Sequence, residues 1–129
     1  MTGVQTCALP ISLNDHSKPL KGSKVHILGV AYKRDIDDVR ESPALDIIHL
    51  LKQRGAKVSY SDPWIAKIND HGITLAATPE ASGVQSADCV VLVTDHKKFD
   101  YSQIVQSAKL IVDTRNAFKG IQSKKIVRL

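Results

Sequence analysis

Apolar positions along this chain fall into two kinds of pattern, short unbroken runs and stretches in which they recur three and four residues apart. Cys89–Val93 (C-V-V-L-V) is unbroken and Val25–Ala31 (V-H-I-L-G-V-A) is mostly apolar and ends in small residues, as buried parallel strands are. Lys57–Ser61 and Lys109–Asp113 read as further strands, Gly72–Leu75 as a weak strand or extended link, and Lys125–Arg128 as a short terminal strand. Between them, Ala44, Ile47, Ile48 and Leu51 follow i, i+3, i+4, i+7. Ser42-Pro43 precedes them as N-cap and first helical residue, and Gly55 follows, so the pattern predicts a helix from Pro43 to Arg54. A poorly amphipathic helix is expected over Pro79–Ala87 and another over Tyr101–Ser107. Asp62-Pro63 reads as a turn, with Asp62 capping a short helix near Ile65–Asp70. Strands alternating with helices predict a single α/β domain, a Rossmann-like three-layer sandwich with a mostly parallel sheet.

The size fits this. A chain of 129 residues with 43% hydrophobic composition can bury one core and has no room for two nucleotide-binding halves. No run approaches the roughly 18 apolar residues of a membrane span, so no membrane partner is expected. The formal charge of +5 is spread along the sequence without a basic block or interleaved aromatics. That suits a phosphate-bearing small molecule at least as well as nucleic acid, and no nucleic-acid partner is expected. Cys7 and Cys89 make no disulfide framework, which points to a reducing cytoplasm. His16, His26, His49, His71 and His96 show no ligand-pair spacing and read as structural or exposed, and Cys89, in mid-strand, as inert core.

Candidate chemistry gathers where strands end. In an open parallel sheet, ligands bind outside the carboxyl ends of the strands, where the crossovers change direction. Lys33, Asp62, Thr94 with Asp95 and His96, and Arg115 each follow a predicted strand and are expected to converge on one edge. Lys33 and Arg115 would bring two positive charges to one pyrophosphate, Arg as a planar fork and Lys as a point charge. Each has a plainer reading as a solvated surface residue, Tyr32 one as core, and Arg40 one as a partner of Asp37 or Asp38. Asp35, Asp37 and Asp38 lack the glycine and distal glutamate of a calcium loop and read as ordering the loop. No G-x-G-x-x-G follows the first strand.

Gly29–Leu45, G-V-A-Y-K-R-D-I-D-D-V-R-E-S-P-A-L, resembles the opening of the C-terminal, UDP-binding domain of the UDP-glucose/GDP-mannose dehydrogenase family. The resemblance continues through Tyr60-Ser61-Asp62-Pro63-Trp64, Asp88–His96 and Asp113-Thr114-Arg115-Asn116, so that it covers residues 13–129. It implies that Tyr32, Lys33 and Arg115 contact the substrate and that Arg40 reaches toward NAD held by an N-terminal domain. The family oxidises the C6 hydroxyl of a UDP-sugar to a carboxylate in two NAD-dependent steps, with a catalytic Cys and Lys that lie outside the segment resembled. The motifs look closest to bacterial UDP-N-acetylglucosamine 6-dehydrogenases. What is implied is a fragment of such an enzyme that anchors UDP, its partners being the UDP-sugar, the N-terminal and central domains, and a second copy in a homodimeric parent. The alternatives are a stand-alone UDP-binding or assembly module and, against the motif, a receiver-like regulatory domain.

Residues 1–12 do not read like the rest. M-T-G-V-Q-T-C-A-L-P-I has neither the basic nor the apolar segment of a signal peptide and matches the conceptual translation of a sequencing-adapter oligonucleotide ending within the codon of Ser12. The expectation is a truncated reading frame, with residues 13–21 as a linker and 22–129 as the UDP-binding domain.

Overall fold

A computed structural model describes residues 22–31, 43–70, 72–115, 117–121 and 123–128. Its elements in chain order are β1 (Lys24–Leu28), α1 (Pro43–Gln53), β2 (Lys57–Ser61), β3 (Lys67–Asp70), β4 (Ile73–Ala76), α2 (Glu80–Ser86), β5 (Cys89–Leu92), α3 (Tyr101–Ser107), β6 (Ile111–Asp113) and β7 (Ile126–Arg128). The main sheet runs β2-β1-β5-β6-β7, all neighbours parallel. β3 and β4 form a separate antiparallel pair.

The alternation of side chains across the pleat builds two cores from the same strands. Val25 and Ile27 of β1, Cys89 and Val91 of β5 and Val112 of β6 face one side, where Ala44, Ile47, Ile48 and Leu51 of α1 cover them. Leu28, Val90, Leu92 and Ile111 face the other, beneath Val84 of α2 and Ile104 of α3. The three layers expected from the sequence are therefore present, with α1 on one face and α2 and α3 on the other. All four residues of the predicted apolar stripe on α1 are buried. Among the described residues no helix is long and apolar enough to cross a membrane.

One predicted element is wrong. The short helix near Ile65–Asp70 is instead the end of the turn after β2 followed by β3, paired with β4 in the register Ile68↔Leu75. Lys67, Ile68 and Asn69 alternate exposed, buried, exposed, as a strand with one covered face does, and Ile68 enters the α1-side core. Asp62 accordingly caps no helix. One carboxylate oxygen closes a turn by accepting from Trp64 N (2.7 Å) and Ile65 N (3.1 Å), and the other points back into the sheet edge.

Two contacts fix how β1 ends and how α2 lies. Gly29 has φ +84°, and a Cβ there would run into the Thr94 carbonyl, so only glycine lets β1 leave the sheet so close to the end of β5. Gly83 brings α2 onto the ring of buried His26 in β1, and a methyl group there would overlap the imidazole.

Candidate functional site

Because β1, β2, β5 and β6 are parallel, the residues after each lie on one edge. Strand order reverses between β1 and β5, since the chain goes from β1 outward to β2 and later returns on the other side of β1. That reversal is where an open α/β sheet has its ligand crevice. The residues over it are Gly29, Val30 and Ala31 after β1, and Val93 to His96 after β5.

Arg115 is tied to this point from the neighbouring strand. The turn after β6 is built around Asp113, whose fully buried carboxylate accepts from Arg115 N (3.0 Å), Ala117 N (3.1 Å) and Phe118 N (3.0 Å). Thr114 Oγ1 donates to Leu92 O at 2.6 Å. The exposed Arg115 side chain turns toward β5 and donates from Nε to Val93 O at 3.0 Å. Its guanidinium thus lies across the end of β5, on the β1 side of its own strand. Thr94 continues the link, donating from Oγ1 to Ala31 O at 2.7 Å.

Tyr32, Lys33 and Arg40, the other residues singled out by sequence, lie outside the described residues. Ala31, immediately before them, is held by Asp62 and Thr94. Asp35, Asp37 and Asp38 also fall outside, and no group of three potential metal ligands occurs among the described residues.

Sequence reasoning placed Asp62 and His96 at the edge but missed what they do there. Asp62 Oδ2 accepts from Val30 N (2.8 Å), Ala31 N (3.2 Å) and His96 Nε2 (2.8 Å), and both side chains are wholly inaccessible. Burial alone would raise the pKa of the Asp62 carboxyl, but the hydrogen bonds from His96, Val30 and Trp64 and the His96 charge outweigh it, so the group sits below the usual carboxylate value. The signal in the sequence was an Asp and a His placed just after two apolar strands; polar groups there must find partners once the edge closes.

A second buried cluster involves His26. Its neighbour in the strand register is Ser59, and its ring bonds Ser59 Oγ through Nδ1 and Ser61 Oγ through Nε2, both at 2.7 Å. Ser61 Oγ donates its proton to Thr78 O, so Nε2 must carry the hydrogen and Nδ1 must accept from Ser59. Burial lowers the His26 pKa to about 4, leaving the ring neutral. Cys89 is equally closed: burial, with the Asp88 charge, pushes its thiol up to about 12. Neither is a nucleophile or base aimed at an open site.

Two clefts flank β2. One of about 220 Å³ lies at its carboxyl end, lined by Ser61, Asp62, Pro63, Thr78, Pro79, Glu80 and Phe99. The larger, about 310 Å³, includes Lys24 and Lys57 at the amino ends of β1 and β2. Asp62, Thr94, His96 and Arg115 lie at the carboxyl edge, and none of them lines the larger cleft.

The model of the UDP-glucose/GDP-mannose dehydrogenase family, UDP binding domain, matches residues 26–120. This chain belongs to that family. It is 32% identical over 108 residues to the UDP-glucose 6-dehydrogenase of Rhizobium meliloti (strain 1021), a match covering 78% of this chain and 24% of the relative. It is 37% identical over 100 residues to the UDP-N-acetyl-D-mannosamine dehydrogenase of Campylobacter jejuni, covering 73% and 23%. Among solved structures, the UDP-D-ManNAc dehydrogenase of Pyrococcus horikoshii superimposes with a TM-score of 0.82 at 25% identity, over 99% of this chain and 30% of that one. The chain spans about a quarter of the length of the curated relatives it matches.

Proposed function

We propose that this domain anchors the uridine diphosphate of a UDP-sugar at the carboxyl edge of its sheet, as the substrate-holding part of an NAD-dependent nucleotide-sugar 6-dehydrogenase. The observation that carries the reading is Arg115, drawn across the end of β5 onto the strand-order reversal, in a chain that belongs to a family of UDP binding domains. A guanidinium held by its Nε can offer its fork to adjacent phosphate oxygens without first losing the freedom of a long side chain. Lys33, two residues beyond Ala31, supplies the second charge, and Tyr32 packs against the bound substrate. Held there, the nucleotide provides remote binding energy that orients the sugar for chemistry elsewhere in the parent enzyme.

The β1 turn does not fit a dinucleotide. The Val30 and Ala31 amides, which a pyrophosphate would need, are occupied by Asp62. In this reading NAD is therefore held mainly by another domain, with Arg40 reaching toward it. That domain, the central domain, a second copy in a homodimer and a cytoplasmic location complete the proposal for the parent, which converts the sugar C6 hydroxyl to a carboxylate.

Titration calorimetry on the 129-residue chain tests the anchor. UDP and UDP-sugars should bind weakly and NAD not at all. Arg115→Ala should weaken UDP about tenfold, one charge-assisted contact's worth, and Lys33→Ala with Arg115→Ala should abolish binding. UDP affinity unchanged by both substitutions would overturn the assignment, and NAD-dependent turnover by this chain alone would overturn the division of labour.

A further inference from the structure

Two consecutive residues after β6 reach two consecutive carbonyls at the end of β5. Thr114 Oγ1 donates to Leu92 O at 2.6 Å, and Arg115 Nε donates to Val93 O at 3.0 Å. The last carbonyls of a strand have run out of ladder partners and are acceptors that either a side chain or water must take. Here they make a clasp with a fixed register. Leu92 is the strand partner of Asp113, and each bond of the clasp lies just beyond that last pair.

The two halves of the clasp differ in what they leave over. Thr114 is half-buried, and its hydroxyl proton is spent on Leu92. Arg115 is exposed, and with Nε on Val93 its terminal nitrogens still carry their own donors. A single bond from an exposed, flexible side chain is easily exchanged for water, so it lasts only while the Arg115 backbone stays in place beside Val93. Asp113 does not secure that, because the bonds of its carboxylate stay within the turn after β6. The ladder does not secure it either, since it stops at Asp113, and the Thr114 amide lies a long 3.4 Å from Leu92 O. The short contact that ties this turn to β5 is the Thr114 hydroxyl.

From this we infer that Thr114 is a positioning residue for UDP binding: its hydroxyl fixes the turn after β6 to the end of β5, so that Arg115 lies along Val93 with its terminal nitrogens open to phosphate oxygens. The inference rests on the UDP-anchoring reading and adds to it a residue that acts through Arg115. The hydroxyl carries the role, and the bulk does not. Serine can therefore fill it, and valine, which has nearly the shape of threonine, cannot.

A double-mutant cycle on the 129-residue chain tests this, with UDP as the probe and titration calorimetry as the readout. Thr114→Val should weaken UDP about fivefold, the factor that one ordinary hydrogen bond represents. In an Arg115→Ala background the same substitution should change affinity less than about twofold, because the side chain it positions is gone. Thr114→Ser keeps the donor and should recover most of the loss. A purely structural role would weaken UDP by the same factor with and without Arg115. The Arg115 Nε–Hε resonance of ¹⁵N-labelled protein, identified by its loss in Arg115→Ala, gives a readout that needs no ligand. It should exchange slowly with water in wild type and Thr114→Ser and quickly in Thr114→Val. If Thr114→Val does not fold, the wild-type protein decides: at UDP saturation Nε–Hε should stay protected, and its exposure would overturn the inference. Additive losses in the cycle, Thr114→Val binding UDP as wild type does, Thr114→Ser as weak as Thr114→Val, or Nε–Hε exchange that ignores Thr114 would overturn it too and leave the anchor standing. Absence of UDP binding by wild type would overturn the anchor, and the inference with it.

Discussion

Replacing Asp113 by Ala removes the acceptor for three backbone amides at once, those of Arg115, Ala117 and Phe118. The Phe118 bond is buried and water cannot replace it, so its amide is left unsatisfied at a cost of about 1–3 kcal/mol. The Arg115 and Ala117 bonds are part-buried, and exchanging them for water costs roughly 1 kcal/mol together. The substitution should thus destabilise the domain by about 2–4 kcal/mol, a large share of the roughly 5–15 kcal/mol typical of a domain. Asp113→Asn should cost less, because its oxygen can still serve Arg115 and Ala117 while its amino group meets the Phe118 amide. Urea unfolding at neutral pH, followed by far-ultraviolet circular dichroism and extrapolated with a common slope, measures both. A loss below about 1 kcal/mol for Asp113→Ala would refute the claim that this carboxylate organises the turn carrying Arg115.

Stability should fall on acidification through His26. Its folded pKa of about 4 lies below its ordinary 6.5, so the unfolded chain binds the extra proton first. The contribution is fully present above pH 6.5 and is lost as pH falls toward 4, about 3 kcal/mol in all. Subtracting the pH profile of a His26→Gln variant from that of wild type should isolate this slope, and a flat difference would contradict it. Asp62 adds a loss at still lower pH, because a carboxyl with a depressed folded pKa stabilises above its unfolded value and ceases to as pH falls through the folded one. Gly83→Ala should destabilise by about 1–3 kcal/mol despite the better helix propensity of Ala, because its methyl group overlaps the His26 ring. In a His26→Ala background the same change should become neutral or stabilising, which thermal unfolding of the four proteins would show.

The layers and the main sheet were legible because its central strands and α1 carried patterns that burial then enforced. The alternation of β5 across two cores and the i, i+3, i+4, i+7 stripe of α1 are the clearest cases. Ile65–Asp70 misled because Ile65 and Ile68 are spaced as on a helix, and Asp62 looked like its cap. The short-range signal for the alternative was the alternation Lys67-Ile68-Asn69 with Gly72, which has φ +77°, before the next run. What decided between them was tertiary: Asp62 Oδ2 accepts from the turn after β1 and from His96 in the loop after β5. The edge location of Asp62, Thr94, His96 and Arg115 followed from their places after parallel strands. Their bonding did not, because it depends on which strands are neighbours, and the order β2-β1-β5-β6 is set by packing and not by any one segment. His26 is similar: a histidine inside an apolar strand announces that a polar partner exists, and only the register with β2 identifies Ser59.

UDP should bind over the carboxyl edge at the strand-order reversal between β1 and β5. The most direct test is the map of backbone amide shifts in a ¹⁵N-labelled chain titrated with UDP. The largest changes should fall on Val30, Ala31, Thr94, Asp95 and Arg115, while Lys24, Lys57 and Asp88 at the amino ends stay still. Shifts concentrated on Lys24, Lys57, Ser59 and Ser86, along the larger cleft, would place the ligand at the opposite end of β2 and contradict the account.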